Sequence, residues 1–279
     1  MPANSPTNMD AASDPVISFE HVGIGFDQGE VLNGLTFSVA ARETKVLIGE
    51  TGTGKTLVLK LAAGLLRADS GTIRVLGRDL GAMSEKELLD FRRQIGFVFQ
   101  EGALFTSMSV ADNVSYRLRE EGVGDEEINQ RVRESLRIVE MEDAIDRLPS
   151  ELSGGMMRRV SIARAVVNRP HVILYDSPTA GLDPVTAQTI ITLILRLRDT
   201  QGVTSVLATQ RLQDAFGLAN YRFDSEMGRV VPAAHTGNGS RAGAAATNFV
   251  VLRGGKAYFE GDPQALADSK DAYLRRFLV

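Results

Sequence analysis

The chain has 279 residues, 43% of them hydrophobic and 24% charged, no cysteine, and a net charge of -4. It is long enough to bury a substantial core as one compact unit with subdomains, and its composition is that of a globular protein, not a disordered or fibrous one. The slight acidic excess argues against a dedicated nucleic-acid binder, and the missing cysteines exclude disulfides and thiolate metal sites and fit a reducing compartment.

Residues 1–15, rich in Pro, Asn, Ser and Ala, predict a mobile leader without the basic start and apolar stretch of a secretory signal. Order is expected from Val16, with residues 16–279 as one domain. Runs rich in Val, Ile and Phe at 16–19, 35–39, 45–48 and 72–76 predict strands, and Leu57, Leu61 and Leu65 at four-residue steps predict a helix after Gly54. Spans 84–93, 109–119, 125–140 and 154–168 read as helices broken by one strand signal at 95–99, so 84–168 predicts a helical insert within an α/β core. Strands return at 172–175 and 205–208 around a helix at 184–198, the pattern of a parallel sheet with crossover helices. The Gly-, Ala- and Ser-rich segment 225–248 predicts a flexible excursion. A hairpin of 249–252 with 257–260 and helices within 262–278 close the chain. No apolar run reaches the roughly 18 residues of a membrane span, so any membrane role must come through partners.

The octapeptide Gly49-Glu50-Thr51-Gly52-Thr53-Gly54-Lys55-Thr56 fits G-x-x-x-x-G-K-[ST] and lies between a predicted strand and a predicted helix. Gly52 and Gly54 permit the backbone angles that turn successive N–H groups toward phosphate oxygens, and the helix N-terminus adds its positive end. Lys55 should reach the β- and γ-phosphates of ATP, and the Thr56 hydroxyl should ligate Mg2+. Downstream, the apolar run 172–175 ends in Asp176, a carboxylate placed to hold Mg2+ or its water shell. A buried strand followed by an Asp-Ser-Pro turn is common by itself, and gains meaning only beside the loop.

About a hundred residues beyond the loop stands Leu152-Ser153-Gly154-Gly155-Met156. Ser153 can cap a helix beginning at Gly154, and two glycines let backbone donors approach an anion, although S-G-G by itself could merely start a helix. With the loop, this segment resembles the signature of ATP-binding cassette (ABC) ATPases. The resemblance implies an α/β P-loop NTPase fold, the ABC cassette, with an inserted helical subdomain and an N-terminal antiparallel β-subdomain. It further implies that Ser153, Gly154 and Gly155 contact the ATP held by a second subunit, most simply an identical chain. Phe26 falls where the family stacks an aromatic on adenine, though a strand-end phenylalanine is at least as often core. Gln100 falls where a glutamine joins Mg2+ to the helical subdomain, and Ala180-Gly181-Leu182-Asp183-Pro184 resembles the family's D-loop.

The stretches around Gln100 and around Met156-Met157-Arg158-Arg159 resemble the ATPases of Mla and Mce lipid-transport systems. This implies transport of an envelope phospholipid or other hydrophobic cargo through transmembrane permease subunits, with a lipid-binding Mce-type protein as a further partner. Between Gly102 and Met108 the family docks its permease, and here Ala103, Leu104, Phe105 and Met108 either form an apolar seat or pack inside the helical subdomain. The resemblance implies a cytoplasmic protein, peripheral on the inner face of the membrane through the permease, with no nucleic acid expected.

Two positions depart from the family pattern. Ser177 stands where a catalytic glutamate usually follows the Mg2+ aspartate, and a hydroxyl cannot replace a carboxylate base at neutral pH. Gln210 stands in the place of the switch histidine, a slot that His21, His171 and His235 do not occupy. Either Gln210 orients the attacking water and gives slow turnover, or the chain binds ATP and dimerises as a regulatory or degenerate subunit. A soluble ABC ATPase acting outside transport is the rival class.

Overall fold

The computed structural model describes residues 14–27, 29–233 and 246–275. In chain order the elements are β1 (Ile17–Phe26), β2 (Gly29–Val39), β3 (Thr44–Ile48), α1 (Lys55–Ala62), β4 (Ser70–Val75), β5 (Arg78–Asp79) and α2 (Glu85–Phe91). There follow β6 (Ile95–Val98), α3 (Val110–Glu120), α4 (Asp125–Ile138), α5 (Gly154–Val166), β7 (Val172–Asp176), α6 (Pro184–Gln201) and β8 (Thr204–Thr209). The chain continues through α7 (Leu212–Asn220), β9 (Tyr221–Asp224), β10 (Arg229–Pro232), β11 (Thr247–Arg253), β12 (Lys256–Gly261), α8 (Pro263–Ala267) and α9 (Ala272–Arg275).

Two sheets organise these elements. A six-stranded sheet runs β12-β11-β3-β8-β7-β6, parallel except for the antiparallel β11–β12 edge pair, and a four-stranded antiparallel sheet runs β2-β1-β4-β5. Strands β3 and β7 are apolar on both faces, because each face of a crossover sheet is covered. Their residues therefore alternate between two cores. Val46, Ile48, Ile173 and Tyr175 join the core shared with α3 to α7, while Leu47, Val172 and Leu174 join the core shared with α1 and the antiparallel sheet.

The helical insert is built by the same patterning. Val110, Val114 and Leu118 on α3 and Ile128, Val132 and Leu136 on α4 recur at four-residue steps and are buried together against α5. Four helix starts carry a signal that the sequence contains: Ser84 forms a capping box with Glu87, Ser109 caps α3, Ser153 caps α5, and Asp183 with Pro184 opens α6.

Three expectations need correction. The antiparallel strands β1 and β2 are about twice the length of the apolar runs that announced them, because their solvent-side residues are polar and pair all the same. Helix α7 was not anticipated. The segment 225–248 is not one excursion, for β10 pairs with β9, and Thr247 and Asn248 belong to β11 beside Thr44 and Lys45 of β3. Residues 234–245, like 1–13 of the expected leader and 276–279 of the expected closing helices, lie outside the described residues, as does His235. Among the described residues no helix is long and apolar enough to cross a membrane.

Candidate functional site

Four adjacent parallel strands, β3, β8, β7 and the edge strand β6, deliver the site. In the ladder Ile48 lies beside Thr209, Asp176 beside Ala208, and Val98 beside Tyr175, so the chain leaves β3, β8, β7 and β6 at one edge of the sheet. Residues 49–56, Gln210, Ser177 and Gln100 follow those four carboxyl ends, where open α/β sheets bind their ligands.

The loop 49–56 turns directly into α1. Gly54 is the cap of that helix at φ 92°, and a Cβ there would fall 2.8 Å from Leu32 Cδ2, so the position requires glycine twice over. Lys55 is buried, and its Nζ donates to the carbonyl oxygens of Gly49 and Glu50 at 2.7 Å each. Burial pulls its pKa below the ordinary lysine value, against the opposing charge of Asp176. Thr53 Oγ1 donates to the Glu50 carbonyl at 2.9 Å and braces the turn.

The next residue, Thr56, donates through Oγ1 to Asp176 Oδ1 at 3.0 Å. Ser177 Oγ donates to the same oxygen at 3.5 Å, and Ser177 itself sits in the left-handed region at φ 47°, anchored by its N–H on the Ala208 carbonyl at 2.9 Å. Burial pushes the Asp176 carboxyl above its ordinary range, offset by the hydroxyls of Thr56 and Ser177 and by the charges of Lys60 and Lys55. On the other side Thr51 Oγ1 donates to Gln210 Oε1 at 3.0 Å. Phe26, Thr51, Lys55, Thr56, Gln100, Ser177 and Gln210 thus line one cavity of about 530 Å³, within the range of small-molecule sites.

The donors suit a hard cation. Among the described residues no cluster of three or more His, Cys, Asp or Glu exists to hold a metal by itself. What the site offers is a hydroxyl, an amide oxygen and a buried carboxylate, those of Thr56, Gln100 and Asp176. That is a partial oxygen set for Mg2+, which customarily completes its shell from phosphates and water.

Most sequence-predicted residues meet in this cavity, but the signature does not. Ser153 accepts from the Met156 N–H at 3.3 Å as the cap of α5, and it lies exposed with Gly154. Gly154 instead lines a second cavity of about 370 Å³ with Glu101, Arg158, Leu182 and, again, Gln100. Gly155 has a packing role besides the nucleotide contact that the resemblance implies. It is buried, and a Cβ there would fall 2.4 Å from Thr186 Cγ2, so in this chain it allows α5 to approach α6. Phe26 is 56% exposed at the cavity mouth, which removes the core reading. The segment after Gln100 divides: Leu104 packs against the main core, while Phe105 is 42% exposed and lies on Tyr116 at 4.8 Å, lining a cavity of about 340 Å³ with Phe97, Phe99 and Ala103.

Sequence reasoning missed Lys60 and Asp214. Lys60 lies four residues after Thr56 and lines the same cavity, a neighbour that helical spacing could have found. Asp214 on α7 is buried, accepts from the hydroxyls of Thr179 and Thr209, and lies 3.6 Å from Arg211 Nε. It ties the turn carrying Ser177 to the turn carrying Gln210. No pattern marks it, because its partners are remote in sequence.

A family model described as ABC transporter matches residues 32–180. Among curated proteins the chain is similar to the methionine import ATP-binding protein MetN of Rhizobium etli, 36% identical over 79% of this chain and 61% of that protein. It therefore spans about three fifths of the length of that relative. It is also similar to the intermembrane phospholipid transport system ATP-binding protein MlaF of Haemophilus influenzae, 35% identical over 71% of this chain and 76% of that one. Among solved structures, cbiO1 from Clostridium perfringens, part of the ABC transporter complex cbiONQ, superposes with a TM-score of 0.76 at 25% identity, covering 95% of this chain and 96% of the other. A dimeric ATP-binding cassette in a post-hydrolysis state, bound to ADP and Pi, superposes with a TM-score of 0.72 at 25% identity, covering 88% and 98%.

Proposed function

Because this chain belongs to the ABC transporter family, as an ATP-binding cassette, we propose that it binds Mg-ATP in the cavity of the 49–56 loop, hydrolyses it slowly and drives transport through membrane partners. The observation that carries the reading is the hydrogen bond from Thr56 to Asp176, made by a residue that lines one cavity together with Lys55, Gln100, Ser177 and Gln210.

In this reading the backbone N–H groups of Gly52 to Thr56 and the N-terminus of α1 bind the phosphates, and Phe26 stacks on the base. Lys55 exchanges the carbonyls of Gly49 and Glu50 for phosphate oxygens, an exchange that burial favours by leaving its ammonium poorly solvated. Thr56, Asp176 and Gln100 hold Mg2+, which supplies charge neutralisation on the phosphates when bound. Gln210, held toward the loop by Thr51, orients the attacking water, and Ser177 adds a hydrogen bond without acting as a base. Exposed Ser153 and Gly154 serve the nucleotide of a second copy, so binding and dimerisation are one event.

The cargo is a phospholipid or similar hydrophobic molecule, and the permease docks at the Phe105–Tyr116 surface, with a lipid-binding Mce-type protein as further partner. This placement puts the chain at the inner face of a membrane. The similarity to the phospholipid-transport relative, of which 76% is covered against 61% of MetN, supports that cargo. Methionine import is the second reading, supported by the 36% identity to MetN. Purification of the chain from detergent-solubilised membranes with its bound partners tests both. Co-purified phospholipid with lipid-stimulated ATP turnover is expected, whereas turnover responding to methionine and indifferent to lipid overturns the hydrophobic-cargo reading.

A further inference from the structure

The turn that follows β6 is held by α5. Arg158 Nη1 donates to the Phe99 carbonyl at 2.6 Å, and Arg164 forks, with Nη1 on the Ala103 carbonyl at 2.7 Å and Nη2 on the Gly102 carbonyl at 2.9 Å. These carbonyls bracket Gln100 on both sides. Within the bracket the Gly102 N–H donates to Phe99 O at 3.0 Å, and Gly102 and Ala103 both take left-handed angles, φ 79° and 48°. An L-residue such as Ala103 keeps that conformation only when its neighbours over-determine it. Here the neighbours are charged donors, which make the stronger class of hydrogen bond. Arg158 is 6% exposed and its Nε has no hydrogen-bond partner among the described residues, so the Phe99 carbonyl is a principal anchor of a buried guanidinium.

Gln100 lines two cavities, that of the 49–56 loop and the one at the start of α5 that Gly154 and Arg158 share. We infer that Arg158 and Arg164 are positioning residues for Gln100. They make the turn a part of α5, so the helix whose cap is Ser153 also sets where the Gln100 amide stands over the nucleotide cavity. The inference rests on the reading that Gln100 faces the magnesium of bound ATP.

The test is nucleotide affinity, measured on the full chain with a fluorescent ATP analogue in EDTA and again in Mg2+, with thermal melts alongside. Arg164→Met keeps the apolar stem and removes the fork. It is expected to shrink the gain in affinity from Mg2+ about tenfold, the usual cost of losing support behind a metal ligand, while affinity in EDTA stays unchanged. Gln100→Ala should produce the same loss and add nothing in the Arg164→Met background. Arg158→Met should shrink the gain as well, and Arg158→Lys, which retains a donor for the single bond to Phe99, should restore it. Equal losses in EDTA and Mg2+, or a loss that adds to that of Gln100→Ala, would overturn the inference and leave the arginines as supports of the fold alone. A Gln100→Ala variant with the full response to Mg2+ sinks the parent reading of Gln100 instead. Should Arg164→Met fail to fold, the Arg158 pair decides by the same comparison.

Discussion

Thr56 and Asp176 are 120 positions apart in the sequence and share a hydrogen bond of 3.0 Å. The bond joins the first turn of α1 to the end of β7, and it leaves a buried carboxylate with hydroxyl neighbours where a cation would be the stronger partner. Burial has raised the Asp176 pKa, so the ionised side chain is held at a cost in the nucleotide-free protein.

Asp176→Asn is therefore expected to raise the melting temperature of the nucleotide-free protein at neutral pH and to abolish its stabilisation by Mg-ATP. The sign follows from linkage. A carboxyl whose folded pKa is raised binds more protons folded than unfolded, so its stability contribution is intact below the unfolded pKa and falls as pH climbs through the folded one. The advantage of Asn over Asp should accordingly vanish in melts taken below the ordinary carboxylate range. A variant no more stable than the parent at any pH would refute this account of Asp176.

Ser177→Glu should raise turnover by about 10² to 10⁴-fold, the span of positioned acid–base catalysis. Ser177 already occupies the left-handed region, so the substitution introduces no new backbone demand beyond the one serine meets. Steady-state phosphate release on the two proteins gives the comparison, and equal rates would show that the missing base does not limit the chemistry.

Gln210→Ala removes the amide that Thr51 orients. A fall in kcat of about a hundredfold with little change in nucleotide affinity is expected, by analogy with the loss of one fixed polar group from a reaction centre. An unchanged rate would end the proposal that Gln210 holds the attacking water.

Gly154 and Gly155, adjacent in the same motif, should respond differently to alanine. At Gly154 the nearest atom to a new Cβ is Leu182 Cδ2 at 3.7 Å, an ordinary contact, whereas at Gly155 it is Thr186 Cγ2 at 2.4 Å. Urea denaturation should show Gly155→Ala destabilised by about 1 to 3 kcal/mol, with part of the loss recovered by Thr186→Ala, and Gly154→Ala close to the parent. Equal stabilities for the two variants would contradict the packing role of Gly155.

The sequence alone determined the elements whose signals are local. The loop 49–56 is one contiguous cradle, its lysine and threonine follow from spacing, and the caps Ser84, Ser109, Ser153 and Asp183 announce their helices because each bonds within its own next turn. The apolar runs of β3, β7 and β8 predicted a parallel sheet because only a strand covered on both faces tolerates them. Tertiary structure alone decided what depends on remote partners: that Gln210 lies against Thr51, that Asp214 joins Thr179 to Thr209, that Gly155 packs on Thr186, and that two arginines of α5 carry the turn of Gln100. It also decided that residues 229–232 form a strand, since four residues, Arg-Val-Val-Pro, are too short a run to carry a periodic signal and pair only because β9 is there. A pattern repeating every two or four residues is set by the geometry of one element, whereas a contact across 50 or 150 residues is fixed only when the packed sheet brings two strand ends to the same edge.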